Sequence, residues 1–284
     1  MRTHLRESML ALLLIGILAT GCNTGTKKDS MNDITFDSIS VEKTYHLLDN
    51  PENPNCNLEI KFIYPSKYKD KEILKNIQKQ FVSSFFSENY ETLSPEQATQ
   101  KYTEDYLASY KDLEEDFKAD VAGSDDGQES VSWYSFYEMS SNEISYNKND
   151  IISYTVSLEN YTGGAHGAHN YNNHVINLKT GKPITEEDIF VENFQDNLAQ
   201  ILVDQIAKQN DLTDAKELEN IGFFSVDEIY PNNNFLIDET GITYSFNEYE
   251  IAAYVVGVTN VHIPFKEIRY LLRDDSPIAH LIDN

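Results

Sequence analysis

The chain has 284 residues, with 47 acidic side chains against 22 basic ones and a formal net charge of −25. A balance this negative argues against nucleic acid or an anionic lipid surface as the main partner and leaves cationic partners open. Two cysteines, Cys22 and Cys56, are too few for a disulfide framework even in an oxidising compartment.

In chain order, Arg2 and Arg6 come first, followed by an apolar run from Met9 to Leu18 that ends in Ala19-Thr20-Gly21-Cys22. A charged start with an apolar stretch this short reads as a secretory signal over residues 1–21, too short to span a membrane comfortably. The small residues before Cys22 resemble a bacterial lipobox, which implies cleavage after Gly21 and a diacylglycerol anchor on the Cys22 thiol. Removing Arg2, Arg6 and Glu7 with the signal takes the net charge from −25 to −26. Residues 22–38 are polar without apolar periodicity and read as a lipidated flexible tether. The expected location is the cell envelope, with a lipid anchor in the membrane and the folded part extracytoplasmic. Cys56, beside Leu58 and Ile60, reads as a small strand residue.

Apolar and polar positions alternate over Ile39–Leu48 and Leu58–Tyr64, predicting two strands around the Asn50–Asn55 turn cluster. Ile73, Ile77, Phe81 and Phe85 recur at helical spacing within Tyr68–Tyr90. A second helix opens at Ser94-Pro95-Glu96-Gln97, with Ser94 as cap, and its stripe runs Ala98, Tyr102, Tyr106, Tyr110, Leu113, Phe117 as a core face. Gly123–Glu129 reads as a solvated acidic loop, because it lacks the ligand spacing of a calcium loop. Strands follow at Val131–Met139, Glu143–Asn147 and Ile151–Glu159, then a glycine-rich loop, a strand at His174–Leu178 and a tight turn at Lys179–Lys182. Phe194–Gln209 is an amphipathic helix using Leu198, Ile201, Leu202 and Ile206. Phe235–Ile237 and Ile242–Phe246 make a hairpin, Val255–Ile263 a strand and Phe265–Leu272 a closing helix. Strands and helices come in runs rather than in alternation, which predicts an α+β fold. The expected architecture is two intimately packed subdomains, antiparallel sheets with flanking amphipathic helices. One module covers 39–130 and the other 131–284.

One segment is distinctive: Tyr161-Thr162-Gly163-Gly164-Ala165-His166-Gly167-Ala168-His169, with Val175–Ile184 and Asp188-Ile189-Phe190 behind it. Further blocks follow at Asn234–Ile237, Gly241–Tyr244, Asn247–Ala252, Gly257 and Val261–Pro264. In this order they resemble the C-terminal module shared by RsiV-type anti-sigma factor ectodomains and the non-catalytic part of PdaC-type peptidoglycan deacetylases. Residues 39–120 resemble the partner module that precedes it. The motif reads in two ways. Gly163, Gly164 and Gly167 permit positive φ and close backbone approach, His166 can lock the loop onto a carbonyl, the Tyr249 ring can cover the core, and Glu250 can accept loop amides. Alternatively, these residues contact a ligand directly.

His166, His169 and His174 lie within nine positions, but on an extended segment His169 and His174 face opposite sides, and no Cys or positioned Asp joins them. No metal site and no cofactor is expected. Motifs for a nucleophile elbow, a zinc protease or a phosphate loop are missing. The catalytic domain of PdaC-type enzymes and the transmembrane helix and sigma-binding segment of RsiV-type proteins are also not found. The resemblance therefore implies a non-catalytic envelope lipoprotein that binds an extracytoplasmic ligand, either a cationic lysozyme-like muramidase, which suits the charge, or a cell-wall component. Two other classes stay open: a peptidoglycan-directed hydrolase or deacetylase using the His166 loop, and a structural envelope protein.

Overall fold

The computed structural model describes residues 31–123 and 132–282. The expected signal, Cys22 and all but the first residue of the acidic loop at 123–129 lie outside them. The chain opens with β1 (Ile34–His46) and β2 (Asn55–Tyr68), followed by α1 (Lys71–Phe85), α2 (Pro95–Lys111) and α3 (Glu114–Gly123). Next come β3 (Phe136–Lys148), β4 (Ile151–Tyr161), β5 (Ala168–Asn177) and the short β6 (Lys182–Pro183). The remainder is α4 (Glu186–Ile189), α5 (Gln195–Gln209), β7 (Phe235–Ile237), β8 (Gly241–Phe246), β9 (Thr259–Pro264), α6 (Phe265–Ile268) and α7 (Ala279–Ile282). β1 to β6 form one six-stranded sheet in chain order, and β7 to β9 a three-stranded antiparallel sheet.

The helices start where local chemistry dictates. The Asp70 carboxylate accepts the Glu72 and Ile73 amides at 2.9 and 3.1 Å, capping α1. Ser94 and Gln97 exchange side-chain to backbone hydrogen bonds in a capping box, with Pro95 in the first turn of α2. The α1 face of Ile77, Phe81 and Val82 packs with Ala98 of α2 against Ile60, Phe62, Ile152, Tyr154 and Ile176 of the sheet. The opposite sheet face contributes Tyr146, Ile151 and Val175 to a second core with Leu198, Leu202 and Ile206 of α5 and with Phe235, Tyr244, Phe246, Val261 and Ile263. Each subdomain thus buries its own side of a shared sheet. Cys56 is fully buried beside Leu47, Tyr110 and Phe117, and burial raises its thiol pKa.

Several expectations are corrected. The strand expected from Ile39 begins at Ile34, so residues 34–38 belong to the sheet rather than to a tether; Ile34 and Phe36 pack on the helical core across a bulge at Thr35/Phe36. The expected modules 39–130 and 131–284 share one sheet, because β3 pairs in parallel with β2. That pair is parallel, not antiparallel, and α1 to α3 supply the long crossover such a connection needs. The gap between the strands expected to end at Met139 and begin at Glu143, residues Ser140, Ser141 and Asn142, lies inside β3. There the Asn142 side chain accepts from Ile63 N at 2.7 Å and donates to Ile63 O at 2.8 Å, so its polar atoms extend the ladder. The second helix ends at Lys111, and its stripe continues in α3. The strand expected from Val255 starts only at Thr259, after a 3-10 turn at Tyr254–Val256 and Gly257 at φ +74°.

Candidate functional site

The glycine-rich segment forms the loop joining β4 to β5 at one end of the six-stranded sheet. Gly163 and Gly164 sit at φ +90° and +121°, which side chains with a Cβ rarely adopt. Gly167 has a different reason to be glycine: a Cβ there would lie 2.8 Å from Tyr137 Oη and 3.0 Å from Asn160 O. Replacing Gly164 with valine should therefore cost about 1–3 kcal/mol through backbone strain alone, since open space surrounds its Cα. A melting temperature equal to that of the unaltered chain would show that the glycine does not serve the backbone.

His166 is exposed, and its Nδ1 lies 2.7 Å from its neighbour's carbonyl, Gly167 O. A carbonyl only accepts, so this contact places the proton on Nδ1 and leaves Nε2 facing Tyr249 Oη at 3.4 Å. The imidazole stacks on the Tyr254 ring at 4.2 Å between centroids and lies 6.3 Å from that of Tyr249. Tyr249 does not cover the core, as the sequence suggested. It sits at φ +65° and is 56% exposed, because the left-handed turn after β8 throws its ring outward onto His166. Glu250 folds back, accepting the Asn247 amide at 2.8 Å and the Asn232 side-chain amide at 2.6 Å.

His169 and His174 diverge along β5. His174 turns to the α1 side and stacks on Tyr154 at 5.0 Å. His169 turns to the other face, with Nδ1 3.2 Å from Glu248 and Nε2 3.7 Å from Glu159, though the geometry at Nδ1 is too poor for a hydrogen bond. It stands at the mouth of a cleft of about 800 Å³ between β4–β5 and the three-stranded sheet, lined among others by Thr155, Tyr171, Asn173, Ser245 and Asn260. Asparagines zip this junction. Asn234 Oδ1 accepts Asn173 N at 2.7 Å, Asn247 Oδ1 accepts Tyr171 N at 2.7 Å, and Asn173 Nδ2 donates to Ser245 Oγ at 2.7 Å. Reading the sequence missed these residues. The density of Asn at 170–173 and 232–234 was the available signal, but amide side chains usually mark loops.

Fold and site together define a two-subdomain α+β module with a polar cleft at the subdomain junction and an aromatic-capped glycine loop at its rim. The chain belongs to the DUF3298 family. A solved member of that family from Bacteroides fragilis NCTC 9343 is 30% identical with a TM-score of 0.84, over 90% of this chain and 100% of that one. Residues 187–266 match the family model described as a protein of unknown function, DUF3298, and residues 50–169 the model described as deacetylase PdaC. A DUF3298 family protein from Pseudomonas aeruginosa PAO1, 13% identical with a TM-score of 0.57, shares the fold over 86% of this chain and 96% of that one. No curated protein matches. The His166 motif falls inside the PdaC-type match, whereas the hairpin carrying Tyr249 and Glu250 falls inside the DUF3298 match. Among the described residues, no helix is long and apolar enough to cross a membrane.

Proposed function

We propose that this chain is the extracytoplasmic, non-catalytic binding module of a lipid-anchored envelope protein, and that its partner is a cationic protein of the lysozyme-like muramidase class. One observation carries the reading: His166 and Tyr249 present exposed rings stacked about the half-buried Tyr254, and two carboxylates, Glu248 next to Tyr249 in the chain and Glu159, flank the neighbouring His169 at 3.2 and 3.7 Å. Aromatic faces beside carboxylates attract lysine and arginine side chains by charge and by cation–π contact. The chain's net charge of −25 would steer such a partner in from a distance. The RsiV-type resemblance of the loop and hairpin blocks supports the same partner class. His166 commits its N–H to its own loop and meets a tyrosine hydroxyl at its other nitrogen, which favours a docking role over that of a general base aligned by a carboxylate.

Two measurements test the proposal. Cys22→Ser should release the protein from membranes or leave it unprocessed, and wild-type fractionation of that variant would remove the lipid anchor from the account. Association with lysozyme should slow markedly between about 0.02 and 0.3 M salt, as the Debye length contracts from about 20 Å to about 6 Å. Dissociation should change less, because it depends on the packed centre of the interface. An association rate indifferent to salt would remove charge steering.

A further inference from the structure

The cleft and the sheet face beside it form one groove whose chemistry differs from that of the ring stack. Beyond the cleft mouth, a second hollow of about 290 Å³ lies across β2, β3 and β4, and His169 and Tyr171 line both. Counting strand spacings, the hollow extends the groove by roughly 14 Å from β5 to β2. The larger cavity falls within the range of about 300–1,000 Å³ found for small-ligand sites.

The cleft has no lysine or arginine among its lining residues, and Lys61 in the hollow is ion-paired with Glu59. An anionic ligand would lose its hydration and gain no counter-charge. What the cleft offers is a row of hydroxyl and amide groups held in place by one another. Thr155 Oγ1 donates to Asn173 Oδ1 at 2.7 Å, Asn173 Nδ2 to Ser245 Oγ at 2.7 Å, and Ser245 Oγ to Asn260 Oδ1 at 2.6 Å. The chain ends on Asn260 Nδ2, whose two hydrogens make no bond to the described residues. Glu248 keeps its second oxygen, and the Tyr171 ring provides an apolar face shared by both hollows. Along the β5 edge of the groove, β6 pairs only at Ile176 and Asn177, and the side chains of Asn234 and Asn247 already hold Tyr171 N, Tyr171 O and Asn173 N. An extended peptide, which binds by adding a strand to an edge, finds those groups taken. Preorganised side-chain donors and acceptors, an aromatic face and no lysine or arginine beyond the ion-paired Lys61 suit a polyol that alternates hydroxyl edges with C–H faces.

We infer that this groove binds an uncharged linear oligosaccharide, with Asn260 bonding its hydroxyl or acetamido groups and Tyr171 stacking on a sugar ring. The inference does not rest on the proposed protein partner, whose contacts lie on the loop above. The test is calorimetric titration of the full-length chain, in a detergent without a sugar headgroup, with cellohexaose, chitohexaose, hexagalacturonate and hexalysine. At least one of the two neutral hexamers should bind. Asn260→Ala and Tyr171→Ala should each weaken that binding about tenfold or more, the scale of one lost hydrogen bond or stacking contact. Tyr171 lies on the surface, so its replacement leaves the core intact, and Tyr249→Ala on the loop should leave sugar binding unchanged. Three results would overturn the inference: no heat from either neutral hexamer, equal affinity for hexagalacturonate, or undiminished binding by both groove variants. Binding of hexalysine alone would reassign the groove to cationic peptides and overturn it as well.

Discussion

Replacing Phe81 with alanine should destabilise the fold by about 3–5 kcal/mol, the range for removing a large aromatic side chain from a packed core. Phe81 has no exposed surface, and it lies in the C-terminal half of α1, where the helix meets the sheet. Its ring stacks on Tyr154 at 4.1 Å with 16° between planes, and Phe36 approaches at 6.3 Å. Truncation therefore strips contacts from β1, α1 and β4 together. The Tyr154 hydroxyl, which is within hydrogen-bond distance of Ser84 at 2.9 Å, keeps its ring from collapsing into the space. Chemical denaturation should show a lower midpoint with an unchanged slope. A loss below about 1 kcal/mol would mean that the helix and sheet can close over the gap, and that the packing is looser than these contacts imply.

Acid should destabilise the protein through His174. Burial against Tyr154 pushes its pKa down from the ordinary value near 6.5 to about 4. Its Nε2 is buried without a hydrogen-bond partner, so a proton arriving there meets no acceptor. Between these two pKa values the unfolded chain binds a proton that the folded chain refuses. Stability linked to this residue is therefore complete above about pH 6.5 and falls as the pH drops towards 4, by about 3 kcal/mol in all. Two buried carboxylates act in the opposite sense. Burial raises the carboxyl pKa of Glu138, which is hydrogen-bonded to Tyr102 at 2.6 Å, and that of Glu186, so acidification relieves part of their cost. The clean measurement is the difference in stability between the wild type and His174→Leu from pH 7 to pH 4, in which the carboxylates cancel. The wild type should lose ground by about 3 kcal/mol across that window, and a flat difference would place His174 in contact with solvent.

What could be read from the sequence were the features written in neighbouring residues. Asp70, Ser94, Pro95 and Gln97 announce their helices, because a cap or a capping box satisfies backbone amides within one turn. The α1 stripe and the α5 stripe declare their buried faces for the same reason. The pairing of β2 with β3 is not local: some 70 residues of helix and loop separate the two strands, and nothing within either names its partner. Asn142 shows a related difficulty, since an asparagine that serves as a piece of strand ladder has the composition of a turn. In the loop, the glycines and His166 were conspicuous, and the structure supplies a reason for each glycine: positive φ at Gly163 and Gly164, close packing at Gly167. The outward swing of Tyr249 depends on one left-handed residue, and the asparagine junction depends on two sheets meeting. Neither leaves a periodic trace.

The most direct test of the account is a calorimetric titration of the protein with lysozyme at about 0.02 M salt, repeated with Tyr249→Ala. The expected result is a saturable exothermic or endothermic isotherm that weakens about tenfold or more in the variant, as loss of a central aromatic contact would. No detectable heat at tens of micromolar protein would contradict the cationic muramidase as partner, and binding indifferent to Tyr249 would contradict the ring stack as the docking surface.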